Sequence, residues 1–269
     1  MTGTQGGAEM AVGLGLDVVV GHLDTLLRVR EVPDYGGAVN GLQVANSGTV
    51  RRVAVAVDYS RPAIEQAVAE GAQLLVVHHG MFWSGVQPLV GAAYERMRLL
   101  FAHDLAVYSA HLPLDVHPEI GNNVLLAREL GLTPSAGFAR YKTIDVGVSG
   151  EADVDTAELA ERARTFAARW GHIARHTPIA PRHRTRRWGI CTGAGASSES
   201  LAEAQARGLD TLVVGEGPHH TAVEAVERGL VVIYAGHYAT ETLGVRALGD
   251  ELARTFGLDW TFVGDPTGL

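Results

Sequence analysis

The stretch Ala63–Gly80, AIEQAVAEGAQLLVVHHG, is a helical pattern closed by Gly71 and followed by an unbroken apolar run, Leu74–Val77. Such a run reads as a strand buried on both faces, the kind found in parallel sheets. The stretch returns 137 positions later as Ser200–Gly217, SLAEAQARGLDTLVVGEG, identical at seven of eighteen positions. Upstream, Arg51-Arg52-Val53 is matched by Arg186-Arg187-Trp188. Downstream, LAVYSAH (Leu105–His111) is matched by VVIYAGH (Val231–His237). All βαβ units share a helix–glycine–strand grammar, so chance similarity is the competing reading. Three matched pieces in one order favour a duplicated unit.

Working outward, Val53–Val57 reads as a strand. Ser60 as N-cap and Pro62 near the first helical position then open a helix that runs to about Glu70. Tyr94–Ala102 reads as a helix and Leu105–Tyr108 as a third strand. Between the copies lie a strand-like Ile144–Val148, a helix over Asp155–Trp170 and a Pro/Arg/His-rich loop. A helix over Leu243–Phe256 precedes a last strand, Trp260–Val263, which can return to either half. Strands alternating with helices predict an α/β fold. Two similar α/β domains are expected from the internal repeat, each with a mostly parallel or mixed sheet flanked by helices. The expected divisions are a loose tail over 1–14, a first domain over 15–137 with 238–269 as its candidate completion, and a second over 138–237.

Composition bounds the function. Of 269 residues, 46 % are hydrophobic and 19 % charged, which excludes a mostly disordered chain. The net charge of −8 argues against generic nucleic-acid binding, which depends on phosphate neutralisation. The longest apolar runs fall far short of the ~20 residues that span a membrane. A single cysteine, Cys191, allows no internal disulfide and points to a reducing compartment. The glycine-rich first residues carry no Lys or Arg, unlike a secretory leader, and a cytoplasmic protein is expected. Eight Arg and no acid fall in Arg162–Arg187. This is read as a solvated helix face plus an Arg-rich loop, with an anion or subunit patch as the alternative.

The informative residues are histidines. His78-His79 ends an apolar strand, and carboxyl ends of parallel strands are where α/β folds place their sites. Neighbours in a strand project to opposite sides, so the pair suits two adjacent metals better than one. A satisfied buried pair is the bland reading. His111 is followed four residues on by Asp115, and His237 by Glu241. Residues at i and i+4 share a helix face, and imidazole with carboxylate is the ligand set for Zn, Fe or Mn. His79 and Glu216 occupy matching positions in the two copies, and His219 and His220 lie just beyond the latter as candidate pocket residues or as an ordinary helix start.

His78-His79-Gly80, AHLPLDVHPEIGNN (Ala110–Asn123), AGHYATE (Ala235–Glu241) and Asn40-Gly41-Leu42-Gln43-Val44 together resemble the Nif-three-like dinuclear metal centre proteins, also called GTP cyclohydrolase 1 type 2 homologues. The resemblance spans about residues 17 to 266. It implies two divalent metal ions per chain held by His78, His79, Asp115, His237 and Glu241, two similar α/β domains and a homohexamer. It leaves His111 as a pocket or supporting residue, although the repeat makes it the counterpart of His237. Asn40, Asn122 and Asn123 are candidates to bind substrate or to cap turns.

Two carboxylates against two divalent cations leave a net positive site, which attracts a small anionic substrate. Paired metals ~3.5–4 Å apart generate a bridging hydroxide and clamp a reacting oxygen. The expected activity is hydrolysis of a phosphate-bearing or nucleotide-like small molecule, with the metals in the cleft between the domains. The alternative is a non-enzymatic metal-binding, regulatory or scaffold protein. Gly193-Ala194-Gly195 lacks the Gly-Lys-Ser/Thr of a P-loop.

Overall fold

The computed structural model describes residues 13–269. The expected N-terminal tail therefore lies almost wholly outside the described residues. The first half contains β1 (Leu14–Gly15), α1 (Leu16–Leu26), β2 (Gly41–Val44), β3 (Thr49–Val50), β4 (Arg52–Asp58), α2 (Arg61–Ala69), β5 (Leu74–His79), α3 (Gly91–Ala102), β6 (Ala106–Ser109), α4 (Leu112–Asp115) and α5 (Asn122–Glu129). The second contains β7 (Ala136–Tyr141), β8 (Ile144–Asp155), α6 (Thr156–Ala168), β9 (Arg175–His176), β10 (Arg184–Cys191), α7 (Ser198–Ala206), β11 (Thr211–Val214), α8 (His219–Glu227) and β12 (Val231–Tyr234). Helix α9 (His237–Phe256) and strand β13 (Asp259–Phe262) close the described chain.

Two mixed sheets result, ordered β13-β4-β5-β6-β2 and β7-β8-β10-β11-β12-β9, beside a small β1-β3 pair. Within each, three parallel strands form the centre: β4, β5 and β6 in one, β10, β11 and β12 in the other. Alternate residues of these strands enter different cores. Val53, Val55, Leu74 and Val76 face one apolar cluster, while Ala54, Ala56, Leu75 and Val77 face another. Burial on both faces is why the sequence shows continuous rather than alternating apolar runs. The second sheet divides likewise, with Trp188, Ile190 and Val213 on one side and Leu212 and Val214 on the other.

Local signals set the helix starts. Ser60 accepts a hydrogen bond from the Ala63 amide, and Ser197 and Ser200 cap each other at the start of α7. Helix α9 starts at His237, well before Leu243. Its first turns are buried all round, through Tyr238, Ala239, Thr240, Glu241 and Thr242, so no amphipathic period marks them.

Strand β13 pairs in parallel with β4, which assigns the chain's last strand to the first sheet. Strand β7 pairs with β8 in the second, so that half begins by Ala136 rather than at 138. Helix α9 spans the junction. Its Val245, Leu248 and Leu252 pack in the first half's core, while Ala239 and Leu243 pack in the second's. Glu158, Glu161, Glu129 and Asp153 pair with Arg162, Arg164, Arg169 and Arg184 respectively, which accounts for half of the Arg-rich segment as ordinary surface ion pairs. Among the described residues, no helix is long and apolar enough to cross a membrane.

Candidate metal centre

The cluster forms where strand ends of the two halves meet. Strand β5 ends on His78 and His79, and its Asp58–His79 pairing sets the end of β4 beside it. The alternation of a strand separates the two imidazoles, but the strand stops at His79 and the rings lie 4.8 Å apart. The segment after β6 brings His111 and, on the single turn of α4, Asp115. From the second half, β12 ends and α9 begins at once, placing His237 and Glu241 one turn apart on the same helix face.

Four imidazoles are oriented in the same sense. His78 Nδ1 donates to the Ala110 carbonyl at 2.8 Å. His79 Nδ1 donates to Asp58 at 2.8 Å, His111 Nδ1 to Asp34 at 2.8 Å, and His237 Nδ1 to Glu216 at 2.7 Å. Each acceptor is a carbonyl or carboxylate, so Nδ1 carries a proton and Nε2 is the nitrogen turned to the cluster, there to take a metal ion or a second proton. An outer acceptor that fixes the tautomer and aims the other nitrogen is the support a metal-ligating histidine needs. The donor atoms form two overlapping groups, His78/His79/His111 and His79/His237/Glu241, each with its ligand atoms within 4.8 Å of one another.

The carboxylates complete the arrangement. Glu241 Oε2 lies 3.1 Å from His237 Nε2 and 3.3 Å from His79 Nε2. Its Oε1 lies 3.5 Å from His78 Nε2, as does Asp115 Oδ2. Yet His78 Nε2 and Glu241 Oε2 are buried without a hydrogen-bond partner among the described residues. Orphaned buried polar atoms are costly. Donors held tetrahedrally by one ion at ~2.0–2.2 Å stand about 3.4 Å apart, so the separations fit shared coordination. The residues present can hold a metal ion.

The electrostatics agree. Burial alone would push His78 down, but Asp115 and Glu241 outweigh it and raise the imidazole to about 10. Burial likewise opposes protonation of His237, which Glu241 and Glu216 raise to about 9. Glu241, although buried, is held well below the usual carboxylate range by His79, His78 and His237. In the metal-free chain, protons on His78 and His237 thus supply positive charge beside Glu241.

Surrounding residues lock the frame. Asn122 donates to Asp115 Oδ1 at 2.9 Å and accepts from the Gly244 amide of α9 at 2.7 Å, tying a first-half carboxylate of the cluster to the helix that carries Glu241. Asn123 donates to the carbonyls of Asp115 and Val146 and accepts from the Thr192 amide. Asn40 lies beside the cluster, accepting from the His111 amide and donating to Asp34. Gly193, at φ +61°, lies so close over Glu241 Oε1 that any side chain there would overlap it.

His78, His79, His111, Asp115, His237 and Glu241 are therefore together. His111, read only as a pocket or supporting residue, is placed with its nitrogen among the ligand-capable atoms. His219 and His220 are not brought in: they form the exposed first turn of α8. Sequence reasoning missed Asp34 and Asp58. Asp58 had a signal, since it ends the strand adjacent to β5, whereas Asp34 had none.

The expected pairing of His111 with His237 is also corrected. The Ala106 amide bonds the Gln73 carbonyl as the Val231 amide bonds that of Asp210, and Ala110 bonds Val77 as Ala235 bonds Val214. The counterpart of His111 is thus Gly236. Both are helix N-caps, but Gly236 adopts φ +93°. The matching of LAVYSAH with VVIYAGH was one residue out of step.

A cavity of about 770 Å³ reaches the cluster and is lined by His79, His111, Asp115, His237 and Glu241 among others. Cys191 also lines it, but burial, with Asp115 and Glu241 nearby, pushes its thiol up to about 12, which disfavours a nucleophilic thiolate.

Comparison with known proteins agrees over nearly the whole length. The chain is 40 % identical over 259 residues to a Deinococcus radiodurans protein named GTP cyclohydrolase 1 type 2 homolog, covering 95 % of each. It is 40 % identical over 254 residues to a Halobacterium salinarum protein of the same name, covering 93 % of this chain and 98 % of that one. The crystal structure of TTHA1606 from Thermus thermophilus matches with a TM-score of 0.83 at 37 % identity, covering 95 % of this chain and 100 % of the other. Protein ybgI, of unknown function, matches with a TM-score of 0.85 at 34 % identity and the same coverage. The family model for Duf34/NIF3 (NGG1p interacting factor 3) matches residues 16–266, a span that contains every ligand-capable residue of the cluster, and the chain belongs to that family.

Proposed function

We propose that this chain is a metal-dependent hydrolase that holds two divalent ions and acts on a phosphate-bearing or nucleotide-like small molecule. The observation that carries the reading is the inward-facing Nε2 set around Glu241, in which His78 Nε2 and Glu241 Oε2 are buried without a partner among the described residues, at the end of a cavity large enough for a small molecule. The gathered donors of His78, His79, His111, Asp115, His237 and Glu241 are more than one four-coordinate ion takes, which supports two ions. The names of the relatives from Deinococcus and Halobacterium support a nucleotide-like substrate.

Divalent ions bound there would acidify a coordinated water and offset charge developing on the attacked oxygen. The chain's own residues do the rest. Asp34, Asp58 and Glu216 hold three imidazoles in the Nε2-presenting tautomer. Asn122 keeps Asp115 oriented, and the apolar strands behind His78 exclude water from the inner side. The open cavity favours chemistry over a site closed by protein ligands, as a structural centre would be.

The test is a metabolite screen on metal-loaded protein with Glu241→Gln as control. Hydrolysis of a phosphate-bearing compound by the parent, lost in the variant, is expected. No turnover by fully loaded protein would favour the non-enzymatic alternative. The reading extends to a homo-oligomer, a hexamer in the expectation drawn from the resemblance. Val86, Val90 and Phe101, respectively 97 %, 69 % and 67 % exposed, support a subunit contact on one stretch of the first half. Light scattering giving a mass near 28.5 kDa would refute it.

A further inference from the structure

The cavity is far larger than metal ions require, and its outer wall is aromatic. Tyr35 lies between α1 and β2, Trp83 follows β5, and Tyr141 ends β7, so both halves contribute. The Tyr35 and Tyr141 centroids are 4.8 Å apart, and Tyr35 and Trp83 are 6.4 Å apart. Trp83 stands edge-on to His111 at 4.6 Å and to His79 at 5.7 Å, so the wall runs directly into the imidazole cluster. Tyr35 is 51 % exposed and Trp83 37 %, in a chain whose aromatic content is only 6 %. Large rings held open at a cavity mouth cost solvent-exposed apolar area that a ligand would cover.

Cations stand beside them. Lys142, the chain's only lysine, holds Nζ 4.9 Å over the Tyr141 ring and donates to the Asp34 carbonyl at 3.0 Å. Arg140 also lines the cavity, with one guanidinium nitrogen on Asp145. Glu203, an acid that also lines the cavity, is engaged by Arg207 and by the Arg140 amide.

We propose that Tyr35, Trp83 and Tyr141 form a stacking subsite for a planar heteroaromatic ring, placed so that an anionic group on the same molecule reaches the imidazole cluster. This deepens, and rests on, the reading of the site as one for a nucleotide-like molecule. Stacking tolerates any base, because every base has a π-face, so the subsite selects for a flat ring rather than for a particular hydrogen-bonding edge.

The test compares adenosine 5′-monophosphate with ribose 5-phosphate, which carries the same phosphate without a ring, by calorimetry on zinc-loaded full-length protein. The nucleotide is expected to bind about tenfold more tightly, the scale of one stacked base. Tyr35→Ala combined with Trp83→Ala should bring the nucleotide down to the affinity of ribose 5-phosphate and leave the sugar phosphate unmoved, which also shows that the variant is folded. Tyr35→Phe, keeping the ring, should keep the preference. Equal affinity of the two probes for the parent protein, no nucleotide binding at all, or equal weakening of both probes in the double variant would overturn the proposal. Turnover is not read, so a protein that discriminates the ring yet hydrolyses nothing would count against the hydrolase reading and not against this subsite.

Discussion

The two halves share a strand–helix–strand–helix–strand frame, with matching backbone bonds where its strands begin and end, yet supply different chemistry from equivalent places. Strand β5 ends on His78-His79, where β11 gives way to Gly215-Glu216. The N-cap after β6 is His111, while the N-cap after β12 is Gly236. The first half thus offers three imidazoles and Asp115. The second offers an outer carboxylate, Glu216, and two ligand-capable residues, His237 and Glu241, on the first turns of α9. Neither set is complete. A repeated frame fixes where strand ends and helix starts occur, and the residue at each end decides what that end can bind. A shift of one residue matters because it turns a helical side chain by ~100°.

The harshest way to break this comparison is to remove the one ligand placed among imidazoles of both halves. Glu241→Gln keeps the size but loses the charge. Metal content should fall by about one equivalent, with far-ultraviolet circular dichroism unchanged. Unaltered content would remove Glu241 from the site.

Chelation comes next. Because donors come from both halves, bound metal should stabilise their relative placement. At an ion concentration ~100 times the dissociation constant the gain is about 2.7 kcal/mol. Stripping the metal should lower the melting temperature and raise amide exchange in α9 more than in β5. Equal melting with and without metal would contradict a site shared between halves.

The outer acceptors sharpen the contrast. Asp34 is 7 % exposed and Glu216 44 % in their side chains. Asp34→Asn should weaken metal binding within the ~10–100-fold range of such partners, and Glu216→Gln less, because solvent screens it. The reverse order, measured by competition with a chromogenic chelator, would mean that the first half's support matters less than its burial implies.

A pH series tests one group from each half. In metal-free protein, His78 is raised to about 10 and His237 to about 9, above the ordinary imidazole value of about 6.5. Stabilisation from these charged pairs is complete below about pH 6.5 and drains as pH rises through 9 to 10. Metal must displace the same protons. Metal-free protein should lose melting temperature over that window, and loading at pH 7 should release protons, seen by calorimetry in buffers of different ionisation enthalpy. The smallest effect belongs to His219→Ala and His220→Ala, which should leave metal content unchanged.

Much of this was legible in the residues. The doubly buried strands announced themselves as apolar runs, and the His-x-x-x-Glu spacing marked His237 and Glu241 as a pair that a helix would bring onto one face, although the helix was expected only from Leu243. What was not legible came from long-range pairing. Asp34 reaches His111 across the fold, with no spacing to betray it. Strand β8 extends to Asp155 because β10 pairs along its length, a register only the sheet defines. The early start of α9 was hidden because its polar residues there are buried around the site rather than exposed on an outer face. The slip between His111 and His237 arose from weighing a shared residue type above backbone register.

The central claim is a dinuclear centre built from both halves, and anomalous diffraction from crystals of zinc-loaded protein tests it most directly. Two peaks ~3.5–4 Å apart are predicted, one within coordination distance of His78 and Asp115 and the other of His79 and His237, with the two oxygens of Glu241 reaching between them. A single peak, or two peaks more than ~10 Å apart, well beyond the spacing of two-metal sites, would contradict the account.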